Sequence, residues 1–204
     1  MIIASNYVFV AVSRAGSVSL RDALRKQPFQ YEQDPTVPAW LPFEELQKVR
    51  NSHITISQLR EWFDPGSRFS FAFVRNPWDR FISFCAWGKV GIATRDGTVT
   101  FANDPRRYMS MALDMHERLS EQTTMMWEQS RFIDGGVDFT GRYEHLQRDF
   151  DHVCDVIKHP RTILPLRNRS KHDDYRTYYT PDLVDRVAEL YKRDIAAFGY
   201  TFEE

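Results

Sequence analysis

Two short runs constrain this chain more than anything else in it: Tyr7-Val8-Phe9-Val10-Ala11-Val12 and Phe69-Ser70-Phe71-Ala72-Phe73-Val74. A strand with one wet face alternates apolar and polar residues, whereas a strand covered on both faces reads as a continuous apolar run, the habit of parallel sheets between helices. Each run ends in a turn, after which the apolar spacing becomes helical. Ser13–Ser17 leads into Leu20, Ala23 and Leu24, and Arg75-Asn76-Pro77 leads into Trp78–Trp87. Strand, turn and helix therefore occur twice. This pattern predicts an α/β fold, a P-loop-like, mostly parallel β-sheet flanked by helices, as one domain over residues 1–204.

The remaining segments fit around that frame. Pro28, Pro35, Pro38 and Pro42 predict a surface excursion over Gln27–Pro42, followed by short helices at Phe43–Val49 and Ser57–Trp62. Gly88–Asp104 reads as a loop, and two helices are expected within Pro105–Ile133. Val137–Tyr143 is a third candidate strand, Glu144–Ile157 a helix, Thr162–Leu166 a short strand and Arg167–Arg176 a basic loop. Leu183, Val187, Leu190 and Tyr191 mark an amphipathic helix.

Lys and Arg number 27 against 28 Asp and Glu, so the chain has no general pull toward nucleic acid or membranes, and any anion site must be local. Cys85 and Cys154 are too few for a disulfide framework and sit in apolar helical patterns, as buried free thiols would. Met1-Ile2-Ile3 leads into the first strand without a basic start, and no apolar run is long enough to span a bilayer. The expectation is a soluble cytoplasmic protein.

The first turn, Ser13-Arg14-Ala15-Gly16-Ser17-Val18-Ser19, has the chemistry of an anion cradle. Backbone N–H groups open a helix, Gly16 permits unusual angles, Ser17 and Ser19 supply hydroxyls, and Arg14 is a permanent cation. A tight turn with an incidental Arg is the competing reading. The Gly-x-x-x-x-Gly-Lys-Ser/Thr loop and the three-glycine dinucleotide fingerprint are both missing, which disfavours a kinase or an NAD enzyme. In the second turn Arg75 follows a strand and Ser83 lies eight residues on, about two helical turns away, where the two side chains can clamp a second phosphate. Here the competing reading is a structural pair between Arg75 and Asp79.

Val12–Leu20 and Phe71–Ser83 together resemble the two cofactor-binding motifs of the sulfotransferase superfamily, particularly its carbohydrate sulfotransferase branch. The resemblance implies 3′-phosphoadenosine 5′-phosphosulfate (PAPS) as sulfate donor. It gives Arg14, Ala15, Gly16, Ser17, Val18 and Ser19 the 5′-phosphosulfate, and gives Arg75 and Ser83 the 3′-phosphate. Arg142-Tyr143-Glu144-His145-Leu146 is similar to the family's Tyr-Glu-x-Leu element, which places Tyr143 near the adenine. Arg167–Lys171 followed by Tyr178-Tyr179 resembles the late loop that closes over the nucleotide, bringing in Ser170 and Lys171. Two departures stand out: Ser13-Arg14 replaces the usual Pro-Lys, and Val18 replaces a frequent Thr. Arg neutralises charge but cannot hand over a proton as Lys can.

Sulfuryl transfer to a hydroxyl needs a base. His53 precedes Arg75 by 22 residues, a gap like that of the catalytic His in the family's uronyl 2-O-sulfotransferase members. A helix-capping or surface His is the alternative, and Glu44, Glu45 and His116 are rival bases. His145, His152 and His159 recur every seven residues, and a solvated helix face is preferred there to a metal site, so no metal is expected. Trp40, Trp62 and Trp87 suit either sugar stacking or core packing. The expected activity is transfer from PAPS to an acceptor hydroxyl, with a glycan as the implied partner. The alternatives are a catalytically impaired nucleotide-binding protein of the same fold and a small-molecule kinase.

Overall fold

The computed structural model describes residues 1–24, 53–87, 91–165 and 172–204. Its contacts divide into two compact units, one of Met1–Val74 and Gln129–Asn168, the other of Arg75–Glu128 and Arg169–Glu204.

The first unit carries a four-stranded sheet of β1 (Ile2–Ile3), β2 (Tyr7–Val10), β3 (Phe69–Val74) and β6 (Phe139–Arg142), in that spatial order. β3 runs parallel to both β2 and β6, and β1 pairs antiparallel with β2. The fold is thus α/β, with a mostly parallel sheet flanked by helices. Register explains the aromatic pattern. Phe9 lies opposite Phe71 and Phe71 opposite Phe139, so phenyl rings line one face, with Phe9 and Phe71 stacked at 5.2 Å. Helices α1 (Ser17–Leu24) and α7 (Leu146–Ile157) cover that face with Leu20, Leu24, Phe150 and Val153. Each such buried side chain contributes roughly 1.5–3 kcal/mol. Val8, Val10, Ala72 and Val74, which point the other way, are equally buried, as the unalternating runs require.

A lock at the start of β3 fixes this register. The Ser70 N–H and hydroxyl both donate to Asp138 Oδ2 at 2.7 Å, and the Asp138 N–H returns a bond to Ser70 Oγ at 3.1 Å. These donors hold the Asp138 carboxyl below the usual carboxylate range. In β6, a Cβ at Gly141 would come within 2.5 Å of the Phe73 ring, so glycine there makes room for the aromatic row. Helix α2 (Ile56–Trp62) opens with a capping box in which Thr55 and Gln58 bond each other's backbone N–H. The expected strand at Thr162–Leu166 is corrected over its described residues, 162–165, which join no sheet. Gln147 holds them instead, donating to Thr162 O at 3.1 Å and accepting from Leu164 N at 2.9 Å. A side-chain amide has taken the place of a ladder.

The second unit is mainly helical: α3 (Pro77–Trp87), α4 (Pro105–Asp114), α5 (His116–Gln122), α8 (Pro181–Leu190) and α9 (Lys192–Phe198), with 3₁₀ turns at Thr124–Met126 and Tyr175–Tyr178. The loop expected over Gly88–Asp104 contains an antiparallel hairpin, β4 (Ile92–Thr94) with β5 (Gly97–Val99). Asp96-Gly97 is a hairpin signal, and Gly97 takes φ of 126° there. The amphipathic helix near residue 190 is broken at Tyr191 into α8 and α9. Of the two helices expected within Pro105–Ile133, α4 and α5 lie here, and a further short helix, α6 (Gln129–Phe132), falls in the first unit. Cys85 and Cys154 are buried and free, and among the described residues no helix is long and apolar enough to cross a membrane. The Gln27–Pro42 excursion and the Phe43–Val49 helix lie outside the described residues.

Candidate active site

Where β2 ends, the backbone departs from ordinary geometry. Arg14 has φ of 62° and Gly16 φ of 79°, both left-handed, separated by Ala15, which is not. A non-glycine residue in that region costs roughly 1–2 kcal/mol, and such strain persists where the surrounding structure imposes it. Backbone of alternating hand turns successive N–H groups toward one point, the concave geometry that receives anions. Helix α1 starts at once, its first bond running from Leu20 N to Gly16 O at 3.1 Å, which adds a positive helix end. Space matters as much as angle. A Cβ on Gly16 would lie 3.1 Å from Leu146 Cδ2 and 3.3 Å from Tyr143 Cδ2. Ser13, Ala15, Ser17 and Ser19 are buried, while Arg14, Gly16 and Val18 are half-buried.

Tyr143 is therefore brought against the turn. It follows β6 in a 3₁₀ turn whose entry is fixed by the buried Asp149, where Oδ2 accepts from Arg142 N at 2.8 Å. His53 belongs to the same unit. Its Nδ1 lies 2.5 Å from the carbonyl oxygen of Ala11, directly after β2. A carbonyl only accepts, so Nδ1 carries the proton, and in the neutral form of the ring the basic lone pair is then on Nε2, the tautomer a general base needs. The ring also meets Phe132 edge-on at 6.3 Å. The helix-cap alternative for His53 does not hold, because Thr55 caps α2.

In the second unit, Arg75 is buried and its Nε donates to Asp79 Oδ2 at 2.7 Å, so the structural pair foreseen as an alternative does form. That bond orients the plane of the guanidinium. Ser83 is buried two turns along α3. Asn76 caps this helix, its Oδ1 accepting from Trp78 N at 3.0 Å and Asp79 N at 3.5 Å. Arg80 is also buried, with Nη2 donating to Met125 O at 3.1 Å and Trp127 O at 2.8 Å, and its guanidinium 5.5 Å from the Tyr191 ring. Asn76 and Arg80 are residues the sequence reading missed. The Asn-Pro pair at a helix start was a visible signal for the first, and nothing local marks the second.

A model of the sulfotransferase family matches residues 23–201. The chain belongs to the sulfotransferase family. It is accordingly an enzyme of sulfuryl transfer. The match takes in His53, Arg75, Ser83 and Tyr143 and begins beyond the Arg14–Ser19 turn, so that turn stands on its own geometry. No curated protein and no solved structure matches the chain.

Within this family frame the remaining candidates separate. Ser170 and Lys171, like Glu44, Glu45 and Trp40, lie outside the described residues, as does the side chain of Trp62. His116 is half-buried at the start of α5, in the unit that does not hold His53. Of the heptad histidines, His152 tilts over Phe139 at 4.8 Å, and His159 Nδ1–H donates to Pro160 O at 2.9 Å. Among the described residues no three His, Cys, Asp or Glu gather as metal ligands. Trp87 is 48% exposed at the end of α3.

Proposed function

We propose that the chain moves the sulfuryl group of PAPS to a carbohydrate hydroxyl, with His53 as general base. The observation that carries this reading is the paired left-handed backbone at Arg14 and Gly16 where β2 passes into α1. Left-handed backbone concentrated in a turn whose buried side chains are small, three of them serines, suits a phosphate cradle. Family membership supplies the reaction class. PAPS, when bound, supplies the sulfuryl group and an adenosine 3′,5′-bisphosphate leaving group.

His53 Nε2 takes the proton of the acceptor hydroxyl, and the resulting imidazolium keeps its Nδ1–H on the Ala11 carbonyl. The N–H groups of Ala15 to Ser19 and the Arg14 guanidinium neutralise charge on the departing 5′-phosphate, Arg14 without donating a proton. Arg75 and Ser83 hold the 3′-phosphate, Tyr143 lies by the adenine, and Ser170 and Lys171 contribute to nucleotide binding. Both units serve one sulfotransferase domain over residues 1–204, supported by a family match that runs through both. A cytoplasmic setting accords with two cysteines that are too few for a disulfide framework and are buried apart from any disulfide.

One observation favours a second reading, a nucleotide-binding protein with impaired chemistry: Arg14 stands where the family usually has Lys. Incubation with labelled PAPS and a panel of glycans decides between them. Transfer to a glycan hydroxyl is expected. Binding of the bisphosphate without transfer to any acceptor supports the second reading, and failure to bind it overturns both.

A further inference from the structure

The segment Thr201–Phe202 enters the 3′-phosphate motif through Asn76. That side chain is 1% exposed and divided in function. Its Oδ1 caps the first turn of α3, while its Nδ2 donates to Thr201 O at 2.9 Å and to the Tyr175 hydroxyl at 3.5 Å. The amide is planar, so the place of residue 201 sets the direction of the cap. Phe202 fixes that place. Its ring sits edge-to-face with Trp78 at 5.7 Å, Tyr175 at 5.6 Å and Tyr179 at 5.3 Å. The Tyr175 hydroxyl donates to Phe202 O, and the Tyr179 hydroxyl donates to Trp78 O at 2.9 Å. Burial pushes the Tyr175 hydroxyl up to about 12, so it remains a donor across the neutral range.

A contact path results: Phe202 locates Thr201, Thr201 orients Asn76, Asn76 caps Asp79, and Asp79 holds the Nε of Arg75. We propose that Phe202 and Asn76 are positioning residues for 3′-phosphate recognition, acting on the Arg75 guanidinium through the cap of α3. The proposal rests on the reading that Arg75 holds the 3′-phosphate. A residue that only stabilises the fold weakens every nucleotide alike. This path weakens the one that carries a 3′-phosphate.

The test compares adenosine 3′,5′-bisphosphate with adenosine 5′-phosphate by calorimetry in wild type, Arg75→Ala, Phe202→Ala, Phe202→Leu and Asn76→Asp. The last keeps an oxygen on the α3 cap and replaces the donor to Thr201. Phe202→Ala and Asn76→Asp are expected to lose about tenfold of the preference for the 3′-phosphorylated nucleotide, the scale of one misaligned charge-assisted hydrogen bond. Affinity for adenosine 5′-phosphate should stay within about twofold on the same principle, and Phe202→Leu should restore part of the preference. If Arg75→Ala abolishes the preference while Phe202→Ala and Asn76→Asp keep it, the positioning proposal is wrong and the Arg75 reading stands. A wild type without preference overturns both. Should Phe202→Ala fail to fold, Asn76→Asp decides by the same ratio.

Discussion

The turn after β2 and the segment after β3 follow neighbouring parallel strands, yet they are built by opposite means. At Arg14–Ser19 the backbone does the shaping, through two left-handed residues and a glycine pressed against Tyr143 and Leu146. At Arg75–Ser83 the helix is regular, and side chains carry the specification: Asp79 on Arg75, Asn76 on the helix start, Arg80 on two carbonyls. The contrast suits two different tasks. The proposed roles match it: a cradle of N–H groups for the anion from which a group would depart, and a guanidinium held in one plane for a phosphate that would take no part in the reaction.

Four outcomes test this division, the largest effect first. His53→Ala should lower kcat by about 10²- to 10⁴-fold, the usual worth of a positioned base, with bisphosphate affinity nearly intact. Steady-state kinetics with calorimetry read the two separately, and an active variant removes His53 from the chemistry. Arg75→Ala should weaken bisphosphate binding about 10- to 150-fold, while Arg75→Lys, which keeps charge but not the fork, falls between. An equal loss in both variants would mean that charge alone matters there.

At the turn, Gly16→Ala should cost about 1–3 kcal/mol through angle and crowding together, whereas Arg14→Gly should be more stable than Arg14→Ala by about 1 kcal/mol, since glycine relieves the left-handed strain. Urea midpoints measure both, and a harmless Gly16→Ala would undo the claim that backbone shapes this region. The smallest effect belongs to Asp138. Its carboxyl is depressed by the Ser70 donors, so its stabilisation is present at neutral pH and fades as pH falls through the folded value. The stability gap between wild type and Asp138→Asn should therefore shrink below about pH 4, near the unfolded pKa.

The frame of the fold was legible because its strands are long apolar runs. β3 falls on the residues expected, and β2 stops two short because Ala11 and Val12 stay buried but leave the ladder. The hairpin at Ile92–Val99 was missed because three-residue exposed strands carry no periodicity, although Asp96-Gly97 was there to read. The break at Tyr191 has no breaker residue to announce it. In the site, Arg75 and Asp79 stand one helical turn apart, and their pairing follows from spacing. The dual bonding of Asn76 does not, since Thr201 lies 125 residues away, and neither does the His53 tautomer, set by Ala11 across 42 residues. Residue order gives chemistry at a turn, but strain and protonation state depend on what the fold brings to it.

The close fit of Gly16 against Leu146 also bears on inheritance. A side chain at 16 requires Leu146 and Tyr143 to give by a few tenths of an ångström and strains the left-handed backbone, so substitutions at these positions are coupled. Across descendants of this chain, substitutions at positions 16, 143 and 146 should be correlated, although more than a hundred residues separate the turn from the other two.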